Sequence, residues 1–325
     1  MNLSNNRGRE RRHTAWLLAV LSLMVLLVSC LYLFQGADGN TVFIMAFRLP
    51  TLLGLLITAS AIGVSTLLFQ TLSGNRILTP SLMGFDSLYV LIQTSVVFFL
   101  GSSHYVTLPP SAKFMAELAI MSLLAVALFS TLLKRGQSDF SRLILTGIIV
   151  GVLFRSLSGF MSRILAPNDY AVVQSASFAR FGNINESLLG YAGLAVIVSL
   201  WLTWLLRRKL DIMALGRDLA IGLGVEHDKT AFQILTLIAV LVATATALVG
   251  PVVFLGLLIS SLVYAISPRH SHAILIPLTI LVGILILLGG QLILERLLHM
   301  QITISVVIEL LGGLLFLYLL LVKRP

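Results

Sequence analysis

Residues 48–72 read RLPTLLGLLITASAIGVSTLLFQTL, and this stretch limits the chain to one kind of fold. After Arg48 the next charged side chain is Arg76, so the uncharged run exceeds the roughly 20 apolar residues that a helix needs to cross a bilayer. A strand of a membrane β-barrel would instead have about 10 residues of alternating character. The long, continuous run therefore predicts a membrane-spanning helix.

The composition extends this interpretation to the rest of the chain. Of its 325 residues, 58% are hydrophobic and only 11% are charged, and the mean hydropathy is +1.02. Soluble domains carry roughly 25% charged residues, so the low charge indicates an integral membrane protein. We expect an all-α polytopic fold, with about ten transmembrane helices in a single domain over residues 1–325. The predicted spans are 16–35, 51–70, 84–100, 114–133, 143–161, 188–206, 231–249, 252–267, 273–294 and 305–322.

The basic residues predict which ends of the spans face the cytoplasm. The net charge of +9 could indicate a nucleic-acid partner, but Lys and Arg in membrane chains concentrate in cytoplasmic loops. With the basic N-terminus MNLSNNRGRERRHTAW inside and uncleaved, 16 of the 22 Lys and Arg residues fall on cytoplasmic segments. Both termini are then cytoplasmic, and no nucleic-acid partner is expected. The other six are Arg48, Lys113, Arg155, Arg163, Arg180 and Arg296.

Two polar segments separate the spans. Segment 162–187, on the outside, is long enough for a short surface helix. Segment 207–230, on the inside, contains ALGRDLAIGLGV at 214–225. A helix from Arg217 to Val225 would make about two and a half turns, too few to cross a bilayer.

This short helix would be amphipathic, with glycines allowing tight turns at both ends. Gly216 and Gly224 would bracket it. Its apolar face could lie on the membrane surface or insert into a groove of a soluble partner, and the residues alone leave both open. The expected apolar face consists of Leu219, Ala220, Leu223 and Val225.

Charged side chains within or beside the spans are candidates for function, because burying a charge in lipid is costly. Asp86 and Glu309 are expected near cytoplasmic ends of their spans, as interface residues, helix caps or partners of cations. Arg48 and Arg296 flank spans on the outer face, where a guanidinium can pair with a carboxylate or simply extend to the interface.

The sequence contains no recognisable catalytic motif. Lys229-Thr230 resembles the end of a phosphate-binding loop, but Asp228 stands where that motif needs glycine. His270 and His272 have no neighbouring acid or cysteine, and we expect both to be solvated rather than to bind a metal. The chain is therefore expected to be no enzyme and to carry no cofactor.

Four stretches in order resemble the ten-span permease family of bacterial iron-siderophore, haem and cobalamin ABC importers. They are RLPTLLGLLITASAIGVSTLLFQTL at 48–72, GNRILTPSLMGFDSLY at 74–89, ALGRDLAIGLGV at 214–225 and GPVVFLGLLI at 250–259. The resemblance runs from Arg48 to about Phe316 and implies a type II ABC importer permease fold in the bacterial inner membrane.

The resemblance also implies partners and site residues. Two ATPase subunits would bind ATP and contact a coupling element at about 211–229. A second permease, identical or paralogous, would complete the path, and a periplasmic binding protein would dock through Arg48 and Arg296. The coupling residues would be Leu215, Gly216, Arg217, Asp218, Leu219, Ala220, Leu223, Gly224 and Val225. Residues of the translocation path or of structural motifs would be Gln70, Asn75, Pro80, Gly84, Asp86, Gly250, Pro251, Phe254, Gly256, Ser260 and Ser261.

Departures from the family pattern bear on the substrate. Thr51 replaces a second arginine of the family's RLPR motif, which puts docking at that position in doubt, and Ser260-Ser261 replaces its Pro-His. ILTPSLMGFDSLY at 77–89 resembles the branch that handles catecholate-type ferric siderophores, which is the expected substrate class. A cobalamin or haem permease of the same family is the alternative. A secondary carrier is a more distant one, because it would need cation-coupling acids in broken spans.

Overall fold

The structure is a computed structural model that describes residues 3–35, 41–133, 140–182, 184–297 and 304–322. Within these ranges helices joined by short connections make up the fold, and no strand occurs. A π-helical turn (Ile44–Arg48) leads into the third helix, and a 3₁₀ turn (Pro80–Met83) precedes the fourth. The α-helices are α1 (Leu3–Phe34), α2 (Thr41–Phe43), α3 (Leu49–Ser73), α4 (Phe85–Thr107), α5 (Pro110–Leu133), α6 (Phe140–Ile164), α7 (Pro167–Ala176), α8 (Glu186–Met213), α9 (Arg217–Gly222), α10 (His227–Val249), α11 (Leu255–Ile266), α12 (His272–Leu297) and α13 (Ile304–Val322).

Ten apolar helices coincide with the ten predicted spans, which confirms the predicted fold class. Among the described residues, eight are long and apolar enough to cross a membrane, and α11 and α13 contain the two shorter apolar segments. The surface helix predicted within 162–187 is α7. The predicted spans were too short at several ends, most clearly for α8, which continues through Arg207 to Met213. A helix satisfies its own backbone hydrogen bonds and therefore continues beyond the apolar run into water.

Helices α3 and α10 form the centre of the molecule. Their side chains are mostly buried by other helices, whereas α1 lies at the periphery with most of its apolar side chains exposed. Small residues allow the close packing: a Cβ on Gly256 of α11 would lie 2.0 Å from the Thr66 hydroxyl oxygen of α3. Close approach through small residues is the usual way for helices to associate in lipid.

The two ends of α3 carry the two groups of residues that the sequence singles out. The 25 residues of α3 span about 37 Å, enough to cross a bilayer. Arg48 lies beside its first residue, and the last turn, which includes Gln70 and Thr71, lies at the opposite end. The short helix α9 follows the end of α8 on the same side as this last turn.

Candidate functional site

Helix α9 has defined stops at both ends. Gly216 precedes it with φ +96°, and Gly224 follows it with φ +82°. The Val225 N–H donates to the Ala220 carbonyl (3.0 Å) and the Gly224 N–H donates to the Ile221 carbonyl (2.9 Å). These two bonds form a Schellman motif, which ends a helix at a left-handed residue. The predicted bracketing glycines are confirmed, but the helix ends at Gly222 rather than Val225, because the backbone already turns at Gly224.

The exposed apolar face of α9 differs from the predicted one. Leu215, Leu219 and Leu223 follow each other at intervals of four residues, and each is more than half exposed. Ala220 is fully buried and Val225 is partly buried against the core. The prediction that Ala220 and Val225 belong to the free contact face is therefore wrong, because both point toward the protein and hold α9 in place.

Charged residues surround this leucine face without covering it. The Arg217 guanidinium lies 3.7 Å from the Asp228 carboxylate at the start of α10. The Lys229 ammonium donates to Glu226 at 2.7 Å, and this contact lowers the pKa of the Glu226 carboxyl. Ion pairs as exposed as these contribute little to stability. Asp218, the other charged coupling residue, is exposed on the first turn of α9.

A buried histidine lies where the sequence predicted a solvated one. His272, the first residue of α12, is 2% exposed, so that prediction is wrong for His272, although His270 is exposed as expected. Its Nδ1 lies 2.7 Å from the Asp211 carboxylate of α8, and its Nε2 lies 2.8 Å from the Thr71 hydroxyl of α3. Asp211 and Thr71 are far from His272 in sequence, so no local pattern revealed the contact.

A second polar contact continues from the same turn of α3. The Gln70 side-chain amide donates to the Ser260 hydroxyl of α11 (2.9 Å) and to the Arg76 carbonyl (2.7 Å). Gln70 and Ser260 were both predicted to be motif residues, and the structure brings them together. Ser261, next to Ser260, lines a cavity of about 240 Å³ with Arg76 and Tyr264.

Arg48 and Arg296 converge at the opposite end of the molecule. The Arg48 guanidinium donates to the backbone carbonyl of Gln35 (2.9 Å) and to that of Tyr32, and the Arg296 guanidinium also donates to the Gln35 carbonyl. Both cations therefore lie at the C-terminal end of α1, where the helix dipole favours positive charge. Arg296 is exposed, and Arg48 is half-buried. The Thr51 hydroxyl bonds within its own helix, to the Phe47 carbonyl.

The residues of segment 74–89 shape a close approach between helices. Gly84 has φ +87°, and a Cβ there would lie 2.5 Å from the Gly151 Cα of α6. Pro80 is buried in the 3₁₀ turn before it. The Asn75 side-chain oxygen accepts from the Ile77 N–H (3.0 Å) and closes a turn. Structural roles account for these three predicted motif residues.

Three charged residues from different helices, Asp86, Arg155 and Glu309, influence one another electrostatically. Asp86 is half-buried at the start of α4, and its Oδ1 has no hydrogen-bond partner among the described residues. Arg155 of α6 and Glu309 of α13 both act on its carboxylate electrostatically, and both are exposed. Glu309 lies near the start of α13, on the side where α12 ends with Arg296. With both termini cytoplasmic, as predicted, this end of α13 would be its outer end, so the expected cytoplasmic position of Glu309 conflicts with the predicted topology.

The 250–259 stretch joins α10 to α11 and packs against α13. Gly250 has φ +98°, which a residue with a side chain rarely adopts. Pro251 is buried beside it. A Cβ on Gly312 of α13 would lie 2.2 Å from the Phe254 Cβ, so Phe254 fills the space that this glycine leaves. These residues fix the positions of α11 and α13 relative to each other.

Comparisons with known proteins agree with this architecture. Residues 14–322 match the FecCD transport family. The chain is 38% identical over 300 residues to the petrobactin import system permease protein YclO of Bacillus subtilis, covering 92% of this chain and 95% of that protein. It is 32% identical over 280 residues to the petrobactin import system permease protein FatC of Bacillus anthracis, covering 85% of this chain and 78% of that protein. An inward-facing structure described as a metal-chelate type ABC transporter has the same fold, with a TM-score of 0.81 at 22% identity over 95% of this chain and 100% of that one.

Proposed function

The chain belongs to the FecCD transport family, and from this premise we propose that it is the permease subunit of an ATP-driven importer of a ferric siderophore. The observation that carries the proposal is the 38% identity, over 92% of the chain, to a permease of a petrobactin import system. Petrobactin is a catecholate-type siderophore, so we assign this chain a ferric catecholate substrate. In a siderophore complex the chelator already saturates the iron, so the permease needs a wide path without strong metal ligands.

Helix α9 is the proposed contact with a separate ATPase subunit, which binds and hydrolyses the ATP. Leu219 on the short helix, with Leu215 just before it and Leu223 just after it, forms an exposed apolar face. Buried Ala220 holds the helix in place, and charged residues flank the face. Such a face suits a groove lined with apolar side chains. ATP can drive transport only if the ATP-bound and ATP-free partners contact this face differently.

The arginines at the other end are the proposed docking point of a periplasmic binding protein. Because Arg48 and Arg296 share the Gln35 carbonyl, they form one doubly cationic site rather than two distant ones. A guanidinium pairs well with a carboxylate, so glutamates or aspartates of the binding protein are the expected partners. With this docking point outside, we propose that the chain lies in the inner membrane of a bacterium with both termini in the cytoplasm.

A second permease subunit, which we expect to be a paralogue, would face α6 and α13. Arg155 and Glu309 are exposed on these helices in the single chain, and a charge exposed to lipid inside a membrane is costly. A partner subunit, with a water-filled path between the two, would remove this cost. Asp86, which both residues influence, would lie beside that path.

Deletion of the gene tests the substrate assignment. We expect the deleted strain to stop growing when ferric petrobactin is the sole iron source and to grow normally on haem. Re-expression of the chain should restore growth. Unchanged growth on ferric petrobactin together with lost growth on haem would contradict the assignment and favour the haem alternative.

A further inference from the structure

We propose that Asp211, His272 and Thr71 are positioning residues that transmit the displacement of α9 to the membrane helices. This inference rests on the proposed function, because it names the path by which movement at the ATPase contact reaches the translocation pathway. The three side chains join the ends of α8, α12 and α3, and none of them belongs to the exposed face of α9.

The first step is the stiff connection between α9 and Asp211. Asp211 lies two residues before the end of α8, and only three residues separate α8 from α9. Each of those three donates a backbone hydrogen bond into the end of α8: Ala214 to Leu210, Leu215 to Ile212 and Gly216 to Met213. A connection with this many internal bonds has little freedom to absorb movement. Displacement of α9 therefore displaces the Asp211 side chain.

The second step is the hold of Asp211 on α12. Its carboxylate accepts hydrogen bonds from the Ser271 hydroxyl (2.9 Å) and from the backbone N–H of His272 (2.7 Å). It also lies 2.7 Å from the ring Nδ1 of His272. A carboxylate at these positions satisfies N-terminal donors of α12 and meets the positive end of its dipole. Asp211 thus acts as a cap that one helix supplies to another. When α8 moves, the first turn of α12 follows or loses these bonds.

The third step is the passage from α12 to α3. His272 Nε2 lies 2.8 Å from the Thr71 hydroxyl, whose residue is 7% exposed. The imidazole ring has no internal torsion between its two nitrogens, so it links Asp211 to Thr71 rigidly. Leaving a buried polar group without a hydrogen-bond partner costs free energy, so the three side chains are held together. Helix α3 lies at the centre of the molecule, and Gln70, the neighbour of Thr71, continues the contact to Ser260 of α11.

The test uses the complete importer, purified with its ATPase and reconstituted in liposomes with its binding protein and ferric petrobactin. For Thr71→Val we expect assembly and ATP hydrolysis close to those of the unaltered complex. The variant removes the contact with His272 and also the hydrogen bond of the Thr71 hydroxyl to the Leu67 carbonyl (2.9 Å) within α3. Uptake per ATP hydrolysed should fall about tenfold, the size expected when a buried polar group loses its partner across helices. Thr71→Ser, which keeps the hydroxyl, should restore uptake.

Two controls separate transmission from a merely structural role. Thr244→Val removes a buried hydroxyl that donates within its own helix, to the Val240 carbonyl, and should leave uptake per ATP unchanged. The double variant Asp211→Asn, Thr71→Val should lose no more uptake per ATP hydrolysed than the worse of the two single variants, because both residues belong to the same series of contacts. Additive losses, or an uptake that falls only in proportion to assembled complex, would overturn the inference.

The same experiment separates this inference from the proposed function. If the unaltered chain neither assembles with an ATPase nor imports ferric petrobactin, the proposed function fails. If the unaltered complex imports it and Thr71→Val transports with normal uptake per ATP, the proposed function stands and only the assignment of the three positioning residues is overturned.

Discussion

At Gly84 the backbone adopts φ +87° and α6 passes so close that a Cβ would lie 2.5 Å from the Gly151 Cα. Gly84→Ala should therefore be costlier than the left-handed conformation alone, which costs about 1–2 kcal/mol, because overpacking adds about 1–3 kcal/mol. Gly74→Ala is the matched control, since Gly74 has φ +62° and a Cβ there would meet no atom within 4 Å. Thermal unfolding in detergent should show the larger loss for Gly84→Ala. Equal losses would contradict the close approach.

Arg296 offers the cleaner test of the docking site, because it is exposed whereas Arg48 is half-buried against α1. We expect Arg296→Glu to weaken the binding protein's affinity by about tenfold or more, as the loss of a hydrogen-bonded charge pair does. Arg163→Glu changes the net charge equally near the end of α6 and should have a smaller effect. If both variants weaken the affinity equally in a titration of the binding protein, the two proteins attract each other through net charge and Arg296 is not a docking residue.

Single residues show where sequence reasoning succeeds and where it fails. Gly216 and Gly224 were identified because a turn at the end of a helix has a local signature. Ala220 and His272 were misplaced because their burial depends on neighbours distant in sequence, Asp211 and Thr71 in the case of His272. Thr71 is a polar residue within an apolar run, and such a residue can indicate a buried polar partner.

Introducing a charge at two adjacent residues of α9 is expected to have different effects. Leu219→Glu should leave the folded chain intact but abolish ATPase assembly and uptake, because a charge would face the proposed apolar groove. Ala220→Glu should instead destabilise the chain by several kcal/mol, because Ala220 is fully buried. Expression, thermal stability and co-purification of the ATPase measure both effects.

Lys229→Gln is the control for the charge change, since it also lowers the net charge by one and Lys229 is exposed and lies outside the leucine face. It should leave assembly and uptake unchanged. Normal uptake by Leu219→Glu, with the ATPase still bound, would show that α9 is not the coupling contact.

The number and order of the helices were easier to predict from the sequence than their lengths. Each apolar run predicted one span because the bilayer requires about 20 apolar residues. The end of α8 lies beyond its run, at Met213, because polar residues continue a helix outside lipid. Helix α4 is interrupted at Gly101 (φ +80°), immediately after the predicted end of its span at residue 100. The pairing of α3 with α10 at the centre was not predicted, because both read as apolar throughout and no pattern shows which neighbour covers which side.

The proposed ATPase contact and the proposed docking site lie at opposite ends of α3 and α12. The family resemblance predicted this arrangement from four motifs, and the match of residues 14–322 to the FecCD transport family confirms the family. Composition alone predicted a membrane protein and could not distinguish an importer subunit from a carrier, because both need apolar helices of the same length.

ATP-dependent uptake of radiolabelled iron as ferric petrobactin, by the importer reconstituted in liposomes, tests the central claim most directly. The account predicts accumulation that requires ATP, the binding protein and an intact leucine face on α9, and that persists when ion gradients are abolished. Uptake that proceeds without ATP and follows an imposed ion gradient would contradict it and identify a secondary carrier.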